Sequence, residues 1–198
     1  MVVKQTKMDE IDDYGTRGIG YFDDIEVQLK ELIAETAEVV YNGLRARDFK
    51  TTCTQNAIDF NTVASRNMNQ MAQVVKDASS FIATNLGGRE LNLEPPPEKI
   101  IAMPDLNVDD TIETADDGVL KGLQARCTSV YDAVAELFDR HMQDFDNLGA
   151  SEAWVGPEYD SAQADLHDLT SKMHQGIEES RNVMDMAITK QLTDLNMG

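Results

Sequence analysis

A chain of 198 residues with 41 % hydrophobic but only 6 % aromatic side chains can build one domain or two small ones around an aliphatic core. Its 36 Asp and Glu against 17 Lys and Arg leave a formal net charge of −19. Such a surface repels phosphate backbones and anionic lipid headgroups, which argues against nucleic-acid and membrane-surface binding, and no run approaches the ~18 continuous apolar residues of a membrane-inserted helix.

In chain order, residues 1–20 hold Gly15, Gly18 and Gly20 with little apolar periodicity and read as a flexible N-terminal tail. The opening Met1–Lys7 lacks the apolar stretch of a secretory leader. The expected location is therefore the cytoplasm, or the exterior by a route that cleaves no signal peptide. Residues 21–86 read as a first helical hairpin. Ile25, Leu29, Leu32, Ile33, Thr36 and Val40 recur at helical steps, and Tyr41-Asn42-Gly43 makes a turn. A long helix follows from Leu44 to Leu86, with a seam of Cys53, Ala57, Phe60, Ala64, Asn67, Met71, Val74, Ala78 and Phe81 at alternating steps of four and three. Gly87-Gly88 stops it.

Residues 87–117 read as a linker, extended where Pro95, Pro96 and Pro97 follow one another. Asp116-Asp117-Gly118 marks a helix start. Residues 118–195 read as a second hairpin. Its first helix buries Leu120, Leu123, Cys127, Val130, Val134, Leu137, His141 and Phe145. Trp154-Val155-Gly156 forms the turn, and Pro157 occupies the first position of the last helix. That helix carries Ala162, Leu166, Leu169, Met173, Ile177, Ser180, Val183 and Ala187.

The turn glycines Gly43 and Gly156 are 113 positions apart, each two residues after an aromatic and directly before a helix, so the chain is an internal repeat. One hairpin cannot cover its own apolar stripe. Two joined hairpins cover each other, and the expected fold is all-α, an antiparallel four-helix bundle. A helix of ~33 residues is ~50 Å long, and a linker of ~30 residues spans up to ~100 Å. An antiparallel arrangement needs that length and a parallel one does not. In the antiparallel case Cys53 and Cys127 fall at similar heights, which leaves open either two buried thiols or a disulfide.

No catalytic constellation stands out. There is no phosphate loop and no nucleophile elbow. The residues three before His141, His167 and His174 are Phe138, Ala164 and Ser171, so the Glu-x-x-His pattern of di-iron bundles is missing. His167 and His174 share a helical face and could hold a metal weakly, but a solvated pair is the plainer reading. We expect a protein that is not an enzyme, with no cofactor and no metal.

Trp154-Val155-Gly156 between two long amphipathic helices resembles the WXG (early-secreted-antigen-like) family, helical hairpins that are substrates of type VII secretion systems and pair into four-helix bundles. Tyr41-Asn42-Gly43 stands at the matching place in the first half. Phe49, eight residues after Tyr41, fits the family's second aromatic, whereas Ala162 stands eight after Trp154. The family's export mark, a Tyr followed four residues later by Asp or Glu, follows none of the five tyrosines. The resemblance implies a tandem, single-chain version of the secreted dimer, acting as a substrate or as a structural or targeting partner. Trp154, Gly156, Tyr41, Gly43 and Phe49 would be its binding residues. They would be offered as recognition knobs to a secretion ATPase or to another WXG-like or helical protein, unless each aromatic merely plugs its turn. The folded chain would be a monomer or homodimer. The alternative is a cytoplasmic helical adaptor or chaperone that holds partner helices in a groove.

Overall fold

A computed structural model describes residues 4–91, 93–112 and 114–196, with the backbone alone for residue 196. The fold is all-α. Helix α1 runs over Met8–Glu38, α2 over Leu44–Leu86, α3 over Asp117–Ala150 and α4 over Pro157–Asn196. Two-residue strands, β1 at Gln5–Thr6 and β2 at Trp154–Val155, pair antiparallel. Prolines lie only in the linker, at the first position of α4, and nowhere in a helix interior, so no backbone donor is missing where a ladder needs one. Asp116 caps α3, accepting from the amides of Gly118 (2.7 Å) and Val119 (3.3 Å). No helix among the described residues is long and apolar enough to cross a membrane.

Two compact units divide the chain, and each takes one stretch of every helix. The first comprises Met1–Ile25, Ala64–Glu98 and Ala135–His174. Within it α1 and α3 run antiparallel: Ser151 meets Glu10 (3.1 Å), Phe145 packs edge-on to Tyr14 (5.4 Å between centroids), and the Tyr14 hydroxyl reaches His141 (2.9 Å). Asn67 of α2 donates to the Leu169 carbonyl of α4 (3.1 Å). The second unit comprises Glu26–Val63, Lys99–Val134 and Gln175–Gly198. There α2 and α4 run antiparallel through Arg45–Asp194 (3.4 Å) and Asn56–Ser180 (2.8 Å). α3 and α4 do so through Gln124–Thr189 (3.5 Å) and Asp132–Arg181 (2.9 Å).

The linker is extended and runs antiparallel to α2 in both units. In the first, Lys76 pairs with Glu94 (3.4 Å), Asn69 donates to the Pro96 carbonyl (2.8 Å) and Ser65 to that of Pro97 (3.5 Å), while Leu91 and Leu93 are buried. In the second, Asn61 donates to the Lys99 carbonyl (3.3 Å), buried Lys50 to that of Asn107, and Arg47 pairs with Asp110 (2.8 Å).

Two expectations are corrected. Residues 4–20 are not a flexible tail. Met1–Val3 lie outside the described residues, but α1 starts at Met8 and buries Ile11 and Tyr14. Gly15 and Gly18 complete its inner face instead of breaking it: a Cβ on Gly15 would lie 3.2 Å from Leu91, and one on Gly18 would lie 3.3 Å from His141. The α4 stripe also slips by one place. Val183 is exposed, and Met184 and Ile188 are buried in its stead, because a straight helix of 3.6 residues per turn drifts off a strict heptad.

Glycine substitutions should separate seats from slack. A Cβ on Gly20 or Gly122 meets nothing within 4 Å, so Gly20→Ala and Gly122→Ala are expected to stabilise the fold by ~0.5–1 kcal/mol each. Gly149→Ala would set its Cβ 2.5–2.7 Å from the Tyr159 ring, which is itself stacked on Phe145, and is expected to destabilise instead. Urea unfolding of the three variants gives the signs directly.

Candidate functional site: two aromatic-x-Gly corners

At each hairpin turn a glycine takes a backbone conformation that an L-residue with a side chain rarely adopts. Gly43 supplies φ 102° and Gly156 φ 142°, and both are buried. Immediately after each glycine a helix begins, and its first turn closes onto that glycine's carbonyl, from Ala46 (3.1 Å) in one corner and from Asp160 (3.1 Å) in the other.

The chain that leads into a helix of the other hairpin clamps each corner. In the second unit Asn42 forms an antiparallel bridge with Thr114, ahead of α3, through N–H···O bonds of 2.9 and 3.5 Å. The Gly43 amide donates to the Asp109 carbonyl (3.1 Å), and the Asn42 side chain accepts from the Asp109 amide (3.0 Å). In the first unit β1, ahead of α1, pairs Gln5 with Val155 and Thr6 with Trp154, and the Gln5 and Lys7 side chains donate to the carbonyls of Glu152 and Ser151 (both 2.8 Å).

Aromatic packing fills both corners. Tyr41 is buried edge-on to Phe49 (5.5 Å), and its hydroxyl donates to Gln191 (2.7 Å). Trp154 is 0 % exposed, surrounded by Phe81 (6.2 Å), Phe145 (5.8 Å) and Tyr159 (6.0 Å), and its indole N–H has no hydrogen-bond partner. The structure thus places Trp154, Tyr41 and Phe49 inside. None of the three rings is an exposed knob, and the corner plug is the reading that the geometry supports. Trp154 and Gly156 come together in the first unit, and Tyr41, Gly43 and Phe49 in the second.

Tyr159, which no motif in the sequence marks, is the third ring around Trp154. Shifted by the repeat distance, Tyr159 corresponds to Ala46 and Ala162 to Phe49. The first corner takes its large ring from the second of these helix positions and its small side chain from the first; the other corner reverses them. The signal was there as a swap of size between equivalent positions.

Each unit also carries an open groove between α2 and α4. The one in the second unit (about 480 Å³) has Arg45, Phe49, Ala187 and Lys190 on its walls. The one in the first (about 410 Å³) has Val74, Asp77, Glu158 and Asp165. The linings largely coincide under the repeat, yet the one in the second unit sets Asp48 and Asp194 against Arg45 and Lys190, whereas the one in the first carries carboxylates and no cation.

The histidines do not converge on a metal. His167 faces Asp146 (3.3 Å) and His174 faces Asp139 (2.7 Å), half-exposed pairs one heptad apart, and among the described residues no group of three or more His, Cys, Asp or Glu could hold an ion. His141 is fully buried, between Tyr14 and Phe22, and burial lowers its pKa to about 4 despite the nearby Asp144. Comparison with family models, with curated proteins and with solved structures returns no match for this chain.

Two measurements follow from this packing. Trp154→Ala opens a cavity among three rings and is expected to cost ~3–5 kcal/mol in urea unfolding. Below pH ~6.5 the unfolded chain protonates His141 while the folded chain does not until about pH 4. This histidine's part of the stability is therefore complete above pH ~6.5 and declines as pH falls towards 4. Unfolding at stepped pH should show that slope in the natural chain and a smaller one in His141→Gln.

Proposed function

We propose that this chain is a non-catalytic, WXG-like protein of a type VII secretion pathway, a substrate or a structural or targeting partner, that carries both hairpins of the secreted dimer in one polypeptide. The observation that supports the reading is the aromatic-x-Gly corner, present twice at the same repeat position, each set between two long helices and clamped by the lead-in to the opposite hairpin. A fused pair of hairpins buries what two separate chains would have to find by diffusion, so assembly costs no translational entropy. With both rings buried, recognition by a secretion ATPase falls to the outer surface of the corners, where Leu44 (73 % exposed) and Val40 (60 %) flank Tyr41-Asn42-Gly43.

A second reading, a helical adaptor, draws on the two α2/α4 grooves, of which the one in the first unit, with Asp77, Glu158 and Asp165, suits a basic partner segment. Localisation separates the two. In a host carrying the pathway, the natural chain should accumulate in the culture medium and vanish from it when the secretion ATPase is deleted. Retention in the cytoplasm of the intact host would favour the adaptor. Trp154→Phe keeps a ring in the corner and is expected to fold and to be exported at near-natural levels, whereas Leu44→Asp is expected to fold normally and to reduce export.

A further inference from the structure

The α2/α4 groove of the first unit continues along its two helices. Beyond the stretch of about 410 Å³ beside Glu158 lies another of about 320 Å³, and Val74, Asp77 and Asp165 line both. On α4 the wall runs from Glu158 to Asp168, about 15 Å or three helical turns. The floor is apolar. Val74 and Ala78 of α2 and Leu169 of α4 are half-buried there, and Ala162 is buried. The rims carry Asp77, Glu158, Asp165 and Asp168, and no Lys or Arg lines either stretch. The chain itself shows what such a surface accepts. The Lys4 ammonium pairs with Glu158 and stands 5.0 Å from the centroid of the Phe81 ring, so it is held by a carboxylate and an apolar face together. Asp168 is paired with Lys172 on its own helix (2.6 Å). Asp77 accepts from Gln73 (2.6 Å), and among the described residues neither Asp77 nor Asp165 has a cation as partner.

We propose that this groove docks a basic amphipathic helix of a partner protein. The segment is about three turns long. Its apolar stripe lies on Val74, Ala78, Ala162 and Leu169, and Lys or Arg side chains on its two flanks reach Asp77 and Asp165. A helix suits the space because its side-chain ridge seats between those of two neighbouring helices. Charge selects the occupant. A second copy of this chain, itself at −19, would be repelled, whereas a cationic segment is drawn in by the same field. Covering the apolar floor supplies affinity, and the carboxylates set orientation and the rate of encounter. The second-unit groove lacks this preference, because Arg45 and Lys190 there already offset Asp48 and Asp194. For its place in the cell the docking rests on the adaptor reading, but the binding belongs to the folded chain alone.

The probe is a fluorescently labelled helical peptide of about 15 residues, with Leu along one stripe and Lys and Ala elsewhere. It is titrated with the full chain at about 0.15 M salt, where charges more than ~8 Å away are largely screened. Anisotropy should saturate at one peptide per chain, and carbodiimide coupling should join the peptide's lysines to groove carboxylates, Asp77 and Asp165 foremost. A peptide with Gln for Leu, at unchanged charge, should bind at least roughly fivefold more weakly. Asp77→Asn with Asp165→Asn should weaken binding roughly fivefold to tenfold. Asp23→Asn with Asp24→Asn, which removes as much charge from exposed positions of α1 outside the groove, should change it by less than about twofold. Absence of binding, equal losses in the two double variants, coupling away from the groove, or a Gln peptide that binds as well as the Leu peptide would each overturn the proposal. Export of the chain to the medium would count against the adaptor reading and leave the binding result standing, so the two fail separately.

Discussion

Each long helix carries an apolar stripe wider than its own hairpin partner can cover. α2 shows this best. One seam, Cys53, Ala57, Phe60, Ala64 and Met71, is buried, and so is a second one, Ile58, Met68, Ala72, Val75 and Ile82. A helix buried on two adjacent faces needs two neighbours, and in a hairpin only one is supplied. Within each unit the other hairpin supplies the second. In the first unit Tyr14 meets Phe145 and His141, and in the second Phe60 meets Tyr131. The hydrophobic contribution of a fully buried large side chain, ~1.5–3 kcal/mol, is thus realised only when both hairpins are in place, which makes the two halves one folding problem.

The corners follow from that coupling. A hairpin turn on its own closes with whatever φ its glycine allows. Here the segment leading into a helix of the other hairpin pairs with each turn, so the backbone donors and acceptors exposed by the turn are satisfied from outside the hairpin. The ring inside each corner then has a fixed wall to pack against. This explains how Tyr can stand for Trp, and how the large residue can move from one helix position to another. What is conserved in shape is the filled volume, supplied by Tyr41 with Phe49 in one corner and by Trp154 with Tyr159 in the other.

The helices, the linker, the two turns and the helix start at Asp117 were legible because each rests on local chemistry: proline placement, apolar period, Asn-Gly and Trp-x-Gly punctuation. What was not legible depends on neighbours. Gly15 and Gly18 weaken a helix in isolation, and their place in α1 makes sense only with Leu91 and His141 seated on them. The slip from Val183 to Met184 accumulates from a small mismatch between seven residues and two turns, which no single step reveals. β1 is two residues long and has no pattern of its own; it is a strand because Trp154-Val155 is beside it. The corner residues were legible as corners, but their burial was not, since a lone Trp in a turn has the same sequence whether it plugs or protrudes.

The linker shows how these constraints extend to chain length. Asn61, Ser65 and Asn69, one turn apart on α2, and Lys50 further along, all donate to main-chain carbonyls of the linker. Every residue has a carbonyl, so these bonds hold an extended chain down without choosing its register. Register is chosen by what is specific: Leu91 on Gly15, buried Leu93, and the ion pairs Lys76–Glu94, Lys99–Glu26 and Arg47–Asp110. Burial lowers the pKa of Lys50, and an ammonium taken from water is tolerable only where an acceptor replaces the lost hydration. Sliding the linker by one residue would bring another carbonyl to Lys50, but it would lift Leu91 from its seat and part all three ion pairs. The tripeptide Pro95–Pro97 keeps the intervening chain from shortening, because its backbone is already extended and has no amide to fold back with. Linker length is therefore set by the anchors on either side of the prolines and not by the prolines' own contacts.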